Sequence, residues 1–504
     1  MNRTENFERV KARKESWDII VIGGGATGIG CALDAATRGF DVLLLERSDF
    51  GKGTSSRSTK LIHGGVRYLK QGNISLVREA LKERGILLAN APQLVHKLPF
   101  IIPCFSHWQK FYYGIGLKVY DLLSGKCSFG RSRILSKKET LKKLPNVKHE
   151  GLSGGVLYFD GQFDDARLLN ELAKTASAAG AVLINYANVF DLIKTESGRI
   201  EGVEFTDEET GELFDAKAAI VINATGAFCD AVRELSDKES KALITPSQGI
   251  HLVFEKSFLQ SSDAIMIPKT SDGRVLFAIP FHGKTLVGTT DTPVKTAQTE
   301  PKPLETEIEF ILETIKNYLA KPPLRSDVKS LFAGIRPLVQ ASETTGTAAL
   351  SRDHTIEIDA SNLLTITGGK WTTYRNMAED AIDHAIKASG LQSKKCVSQT
   401  LKLKFDRKKL IEDLIREDAA LSGKIHSEFE YRKAEIVFAV RYEMARTVED
   451  VLARRTRILF LDAAAALECA PPVAQIMAKE LLKGAEWVDE QIEIFNSVAK
   501  NYLI

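Results

Sequence analysis

The segment Trp17 to Gly28, WDIIVIGGGATG, constrains the fold more than any other stretch of the chain. Its apolar residues read as a buried parallel strand, which runs straight into Gly23-Gly24-Gly25-Ala26-Thr27-Gly28, a GxGxxG turn. Each glycine has its own task. Gly23 permits the tight turn, Gly25 lets the backbone approach a pyrophosphate, and Gly28 lets the next helix pack closely on the strand. Ala26 to Gly39 reads as that helix, with Gly39 as its C-cap, and Asp41 to Glu46 as the following strand. The helix N-terminus offers N–H groups and a positive dipole end to phosphates. Glu46, closing the second strand, is placed to accept ribose hydroxyl bonds. A strand, glycine turn, helix and acidic strand end in this order predict dinucleotide binding.

Two later segments favour FAD over NAD. Ala219 to Gly226 (AIVINATG) is a strand ending in a turn, able to return to the same sheet. Leu363 to Lys370 (LLTITGGK) is another, leading into a helix start that can face a flavin ring. No second GxGxxG is present, which argues against a separate NAD(P)H domain. Each turn, taken singly, could as well simply end a buried strand. The remaining pattern gives helices near Ser75–Asn90, Arg167–Ala179, 304–319 and 371–388, and alternating strands from Val182 to Asn223 and from Thr245 to Thr290. The expected organisation has six segments. Residues 1–75, 161–240 and 361–395 form an FAD-binding domain. Residues 76–160 are a helical, aromatic and basic segment. Residues 241–360 are a domain of short strands, and 396–504 a helical C-terminal domain. The fold class read from these elements is α/β with added β: a Rossmann-like FAD domain, a sheet domain and a helical C-terminal region.

At 504 residues, 44% hydrophobic and 26% charged, the chain can bury large cores without covalent staples. Six scattered cysteines without a CxxC pattern predict neither a disulfide framework nor a metal site, and fit a reducing compartment. The first 17 residues lack the apolar run of a secretory signal, and Asp462 and Glu468 interrupt the most apolar stretch, Leu459 to Met477. No membrane span is expected, and a net charge of +3 gives no reason to expect nucleic acid as a partner.

Thr54 to Lys70, TSSRSTKLIHGGVRYLK, closely resembles a signature of the FAD-dependent, quinone-linked glycerol-3-phosphate dehydrogenases. Gly368 to Glu379, GGKWTTYRNMAE, resembles their second signature. GIRPL at 334–338, LSRDHT at 350–355 and EDVLARRTR at 449–457 follow in family order. The resemblance spans nearly the whole chain. It implies oxidation of sn-glycerol 3-phosphate to dihydroxyacetone phosphate by hydride transfer to FAD, with electrons passed to a membrane quinone. The family sits within a larger group of flavoproteins that includes D-amino-acid and glycine oxidases, and this implies an antiparallel substrate-binding sheet in residues 241–360 beside the Rossmann-like FAD domain, with residues 76–160 at the substrate domain or membrane side. Two departures stand out: there is no mitochondrial-style transit segment or calcium-binding extension, and no long insertion of the soluble oxidase kind.

What the chemistry needs selects candidate residues. A phosphate dianion suits planar guanidinium forks, and Arg336 and Arg352 lie in segments resembling the family's phosphate-binding positions. Arg67 and Tyr68 follow Gly64-Gly65, whose small size lets the main chain pass close to a flavin, and the resemblance puts the arginine in the substrate pocket. His251, in Gln248-Gly249-Ile250-His251, matches a family active-site histidine and is the candidate proton acceptor, while a structural histidine is the alternative. His63 competes with it, in a flavin-contacting or structural role. Lys370, beyond its glycine turn, would sit near the flavin or a substrate oxygen, where its charge would favour anionic reduced flavin. Ser55, Ser56 and Thr59 are hydroxyl donors to cofactor phosphates or, equally, helix caps. Gly226, Gly369 and Thr372 complete the expected cofactor set.

Three alternatives stay open: an oxidase passing electrons to oxygen, an amino-acid oxidase of the same fold, and a non-catalytic dinucleotide-binding protein. A homodimer is also open. Electrons need an outlet, and the resemblance implies a bilayer quinone, hence peripheral attachment to the inner face of the cytoplasmic membrane. Between Lys97 and Lys143 ten basic residues face two acidic ones, Asp121 and Glu139, among aromatics that include Phe100, Phe105, Trp108, Phe111, Tyr112 and Tyr113. Such a stretch can meet an anionic lipid surface or be an ordinary solvated face over a core. The rival surface is the basic cluster Arg454, Arg455 and Arg457.

Overall fold

The computed structural model describes residues 1–66, 73–340, 354–404 and 406–504. Five strands form a parallel array in the order Leu363–Gly368, Leu213–Asn223, Trp17–Ile22, Val42–Glu46 and Val182–Asn185. His354–Ile358 adds an antiparallel edge. Strands buried on both faces must be apolar on both, and the two-residue period shows it. Ile19, Val21, Val42 and Leu44 enter one core with the helices Ala26–Thr37, Asp165–Ala178 and Tyr374–Ser389. Ile20, Ile22, Leu43 and Leu45 enter another, with the N-terminal helix and an antiparallel meander made by Ala187–Lys194, Ile200–Asp207 and the start of Leu213–Asn223. Each such side chain contributes about 1.5–3 kcal/mol by burial.

The second sheet has ten strands, antiparallel except where Ala264–Ile267 runs parallel to Val95–Cys104. Towards one end of the sheet Ile244–Glu255 pairs with Ser330–Val339, setting His251 opposite Phe332 and Ser247 opposite Arg336. Residues 76–160 depart from the expected helical segment. They carry Val95–Cys104, Arg133–Ser136 and most of Gly154–Phe163 into this sheet. Pro99 and Pro103 argue against a central strand. The pairing to Ala264–Ile267 meets only Phe100 and Ile101, so both prolines lie outside it.

Helices dominate from Arg407 onward. They share a core with the second sheet, where Phe332, Phe460 and Tyr502 join one apolar cluster. Arg454, Arg455 and Arg457 lie inside, 2%, 4% and 1% exposed, which removes them as a rival membrane surface. Countercharges, one from a distant part of the chain and one from nearby, permit that burial. Asp49 accepts from Arg454 at 2.5 Å and from Arg455 at 2.7 and 2.8 Å, and Glu449 from Arg454 at 2.7 Å. Burial pushes the Asp49 carboxyl up, but Arg455 and Arg454 outweigh it and hold the group below its usual value. All six cysteines are free thiols.

Candidate active site, two adjoining cavities

The larger cavity, about 440 Å³, opens where the parallel strands end. Gly23, Gly25, Glu46, Ser55, Gly226, Gly369 and Lys370 all stand on its wall. The helix Ala26–Thr37 starts there with Gly25 as N-cap and no side-chain cap bond. Ala26 N–H donates to Ser55 Oγ at 2.9 Å. Gly28 lies behind, where a Cβ would come within 1.9 Å of the Gly23 carbonyl oxygen, as close helix–strand packing demands. Gly226 (φ +58°) and Gly53 have open space where a Cβ would be. Glu46 accepts N–H bonds from Gly24 at 2.6 Å and Ser48 at 2.8 Å. Burial pushes its carboxyl above the usual value against those bonds. Each Glu46 oxygen keeps a second lone pair for a hydroxyl. A helix start whose N-cap glycine carries no side chain, open glycines and a carboxylate at the strand end fit a dinucleotide's pyrophosphate and ribose.

A second cavity has a volume of about 150 Å³. Thr59, His63, Asp160, Arg274, Asp291 and Arg336 contribute polar groups to its wall. The strand Ser330–Val339 separates the two spaces: Arg336 faces the smaller and its neighbour Pro337 the larger, as strand alternation requires. Arg336 donates to Thr289 Oγ1 at 3.0 Å, to the Thr290 carbonyl at 2.9 Å and to that of Gln248 at 3.3 Å. Asp291 lies 3.5 Å from Arg336 and 3.8 Å from Arg274, so two guanidinium groups flank one carboxylate.

His251 is not on that wall. It is 2% exposed, with its ring stacked on Phe332 at 4.9 Å and Nε2 hydrogen-bonded to Thr59 Oγ1 at 2.9 Å. Burial lowers its pKa well below the usual histidine value, and the charges of Lys60 and Arg336 lower it further. Lys60, wholly buried, donates to Asp165 Oδ2 at 2.6 Å and to the Ser56 carbonyl at 2.7 Å. Burial brings it down to about 7 against the pull of Asp165.

The structure thus gathers most of the expected residues but divides their duties. His63 lines the smaller cavity, and Thr372 bonds its backbone from the other side. Gly64 points inward: a Cβ there would meet Tyr120 and Leu81 at 2.5 Å, and its N–H donates to Tyr120 Oη at 2.9 Å. Ser56 is buried away from both cavities and offers its carbonyl to Lys60 and Arg457. Thr372 is likewise buried off both walls. Arg67, Tyr68 and Arg352 lie outside the described residues. Arg274 and Asp291 were not foreseen. Arg274 follows the turn at Asp272-Gly273, Asp291 sits in a run of threonines, and neither setting carries a spacing signal.

A family described as "FAD dependent oxidoreductase" matches residues 18–375, and one described as "C-terminal domain of alpha-glycerophosphate oxidase" matches 363–491. The chain is 40% identical to the mitochondrial glycerol-3-phosphate dehydrogenase of Bos taurus, over 97% of its own length and 73% of that protein's. To the Homo sapiens protein of the same name it is 41% identical, over 95% and 72%. Among solved structures, the glycerol-3-phosphate dehydrogenase of Bacillus halodurans complexed with FAD superposes with a TM-score of 0.79 at 28% identity, covering 100% of this chain and 98% of that one. The FAD-bound L-alpha-glycerophosphate oxidase of Mycoplasma pneumoniae, at 19% identity, a TM-score of 0.60 and coverage of 78% and 100%, shares the fold.

Proposed function

The chain belongs to the FAD-dependent glycerol-3-phosphate dehydrogenase family, and from that premise we propose that it oxidises sn-glycerol 3-phosphate to dihydroxyacetone phosphate. FAD in the larger cavity would accept a hydride from the carbinol carbon. The remaining duties fall to the chain. Gly23, Gly25 and the helix start at Ala26 would hold the pyrophosphate, and Glu46 the ribose. Gly226, Gly369 and Lys370 would border the flavin end, with Lys370 supplying positive charge. Arg336 would take the substrate phosphate, joined by Arg67 and Arg352 on the strength of their motifs, with Tyr68 beside them. His251 would receive the hydroxyl proton.

The observation that carries this reading is the strand that turns Arg336 into one cavity and Pro337 into the other, so an anion site adjoins a dinucleotide site. Anaerobic addition of glycerol 3-phosphate to the purified yellow protein should bleach its visible absorbance. Arg336→Ala should need roughly 10- to 100-fold more substrate, since a hydrogen bond to a charged group is worth about 1.5–3 kcal/mol. Failure of the wild type to bleach would sink the assignment.

The electron outlet is proposed to be a membrane quinone, reached from the inner face of the cytoplasmic membrane. No helix among the described residues is long and apolar enough to cross a bilayer. The helix His107–Ser124 instead carries an outward stripe: Trp108 (71% exposed), Phe111, Tyr112, Ile115, Val119 and Leu122 (80% exposed). Exposed Arg131, Arg133, Lys137 and Lys138 follow it, a composition suited to an anionic lipid surface. A second reading, electron transfer to oxygen, is favoured by the glycerophosphate-oxidase description of the C-terminal region. Peroxide yield in air against turnover with a soluble quinone separates the two.

A further inference from the structure

We propose that the Thr59 hydroxyl, rather than the His251 ring, meets the substrate alcohol and relays its proton to His251. The inference rests on reading the smaller cavity as the substrate site.

Thr59 and Arg336 both stand on the wall of that cavity, and His251 does not. Packing on both faces keeps the ring in place. Phe332 stacks on it at 4.9 Å and 17°, and on Gly288 a Cβ would lie 2.2 Å from the ring. Only a glycine at 288 lets the ring sit there, so a swing into the cavity would break this packing. The contact from ring to cavity is the 2.9 Å bond between Thr59 Oγ1 and His251 Nε2. With the ring neutral and its proton on Nδ1, Nε2 accepts and the threonine hydroxyl donates. That hydroxyl keeps lone pairs to accept a hydrogen bond from a substrate alcohol on its other side.

The proton balance closes without another reagent. The carbinol O–H bond breaks and its proton joins Thr59 Oγ. The proton already on Oγ passes to Nε2, so threonine is unchanged and His251 becomes imidazolium. The hydride from the same carbon goes to the acceptor of the family's reaction, and a carbonyl remains. The charges facing the ring explain why the transfer waits for substrate. Lys60, paired with Asp165, and Arg336, paired with Asp291, disfavour a protonated ring. A phosphate dianion seated at Arg336 offsets one of those cations and raises the proton affinity of Nε2.

Thr59→Val keeps the shape and removes the hydroxyl. In anaerobic single-turnover mixing it should slow flavin reduction by about 10²–10⁴, the usual range for lost proton transfer. Calorimetric titration with glycerol 3-phosphate should show affinity lowered by no more than about 10-fold, the value of one neutral hydrogen bond, far less than the loss of rate. Thr59→Ser should restore the rate, and adding His251→Ala to Thr59→Val should cost little more, because the two act as one unit. If the valine variant does not fold, Thr59→Ala carries the same test. Wild-type rates in the variant, a serine variant as slow as the valine one, or additive losses would each overturn the relay while leaving the substrate assignment standing. No calorimetric binding by the wild type would remove the substrate assignment, and the relay with it.

Discussion

Two glycines three positions apart do different physical work, and a valine at each separates them. At Gly25 the backbone is ordinary (φ −80°), and a Cβ would touch only Ser55 Oγ, at 3.2 Å. Gly25→Val should therefore fold and melt like the wild-type apoprotein, yet purify colourless, because its side chain enters the space where a pyrophosphate must meet the helix start. At Gly28 a Cβ would be 1.9 Å from the Gly23 carbonyl, so Gly28→Val should fail to give soluble protein at all. Flavin released by denaturation and counted per chain reads both outcomes; full flavin content in Gly25→Val would refute its role. These glycines are legible in sequence because a backbone task dictates them. The setting of His251 is not, since what hides its ring, Thr59 and Phe332, comes from segments 192 and 81 positions away. Likewise, three arginines within four positions read as surface charge until Asp49 supplies the reason for burying two of them.

Among the elements, His107–Ser124 is unusual in being apolar on two sides. Leu117 and Tyr120 face the core while Trp108, Phe111, Ile115 and Leu122 face out. The alternation of aromatic and basic residues announced an amphipathic stretch, but not which aromatics point where. Phe100 went to the core and Trp108 to the surface. Wild-type protein should float with vesicles containing anionic lipid at low salt. Replacing Trp108, Phe111 and Leu122 with Asp should leave folding intact and abolish flotation. Lys137→Glu with Lys138→Glu should weaken binding at least about 10-fold, at about 1 kcal/mol for each basic residue near the surface. Absence of wild-type flotation would count against a peripheral enzyme and favour oxygen as acceptor. The strand Val95–Cys104 illustrates the opposite difficulty: its two prolines concealed an element that only the pairing partners reveal.

For the molecule as a whole, the C-terminal helices and the loop after Glu46 are held together through Asp49. That residue lies between Glu46 and Lys52, both on the wall of the larger cavity. Asp49→Asn would leave Arg454 and Arg455 buried with less countercharge, and should cost about 3–5 kcal/mol. A lower melting temperature together with loss of flavin is the expected result, whereas Glu430→Gln, in an exposed pair with Lys424, should change neither. The helical character of the C-terminal region was plain from composition, but its dependence on partners about 400 positions upstream was not. The order of strands in the parallel array also bears on how the protein is made. Trp17–Ile22 finds one neighbour, Val42–Glu46, almost at once, but the other, Leu213–Asn223, is flanked in turn by Leu363–Gly368. At translation rates of about 5–20 residues per second, roughly 15–60 seconds separate the emergence of Glu46 from that of Leu363. For that interval the nascent sheet carries an uncompleted edge, so a ribosome stalled between these points would release a product prone to aggregate and in need of chaperones.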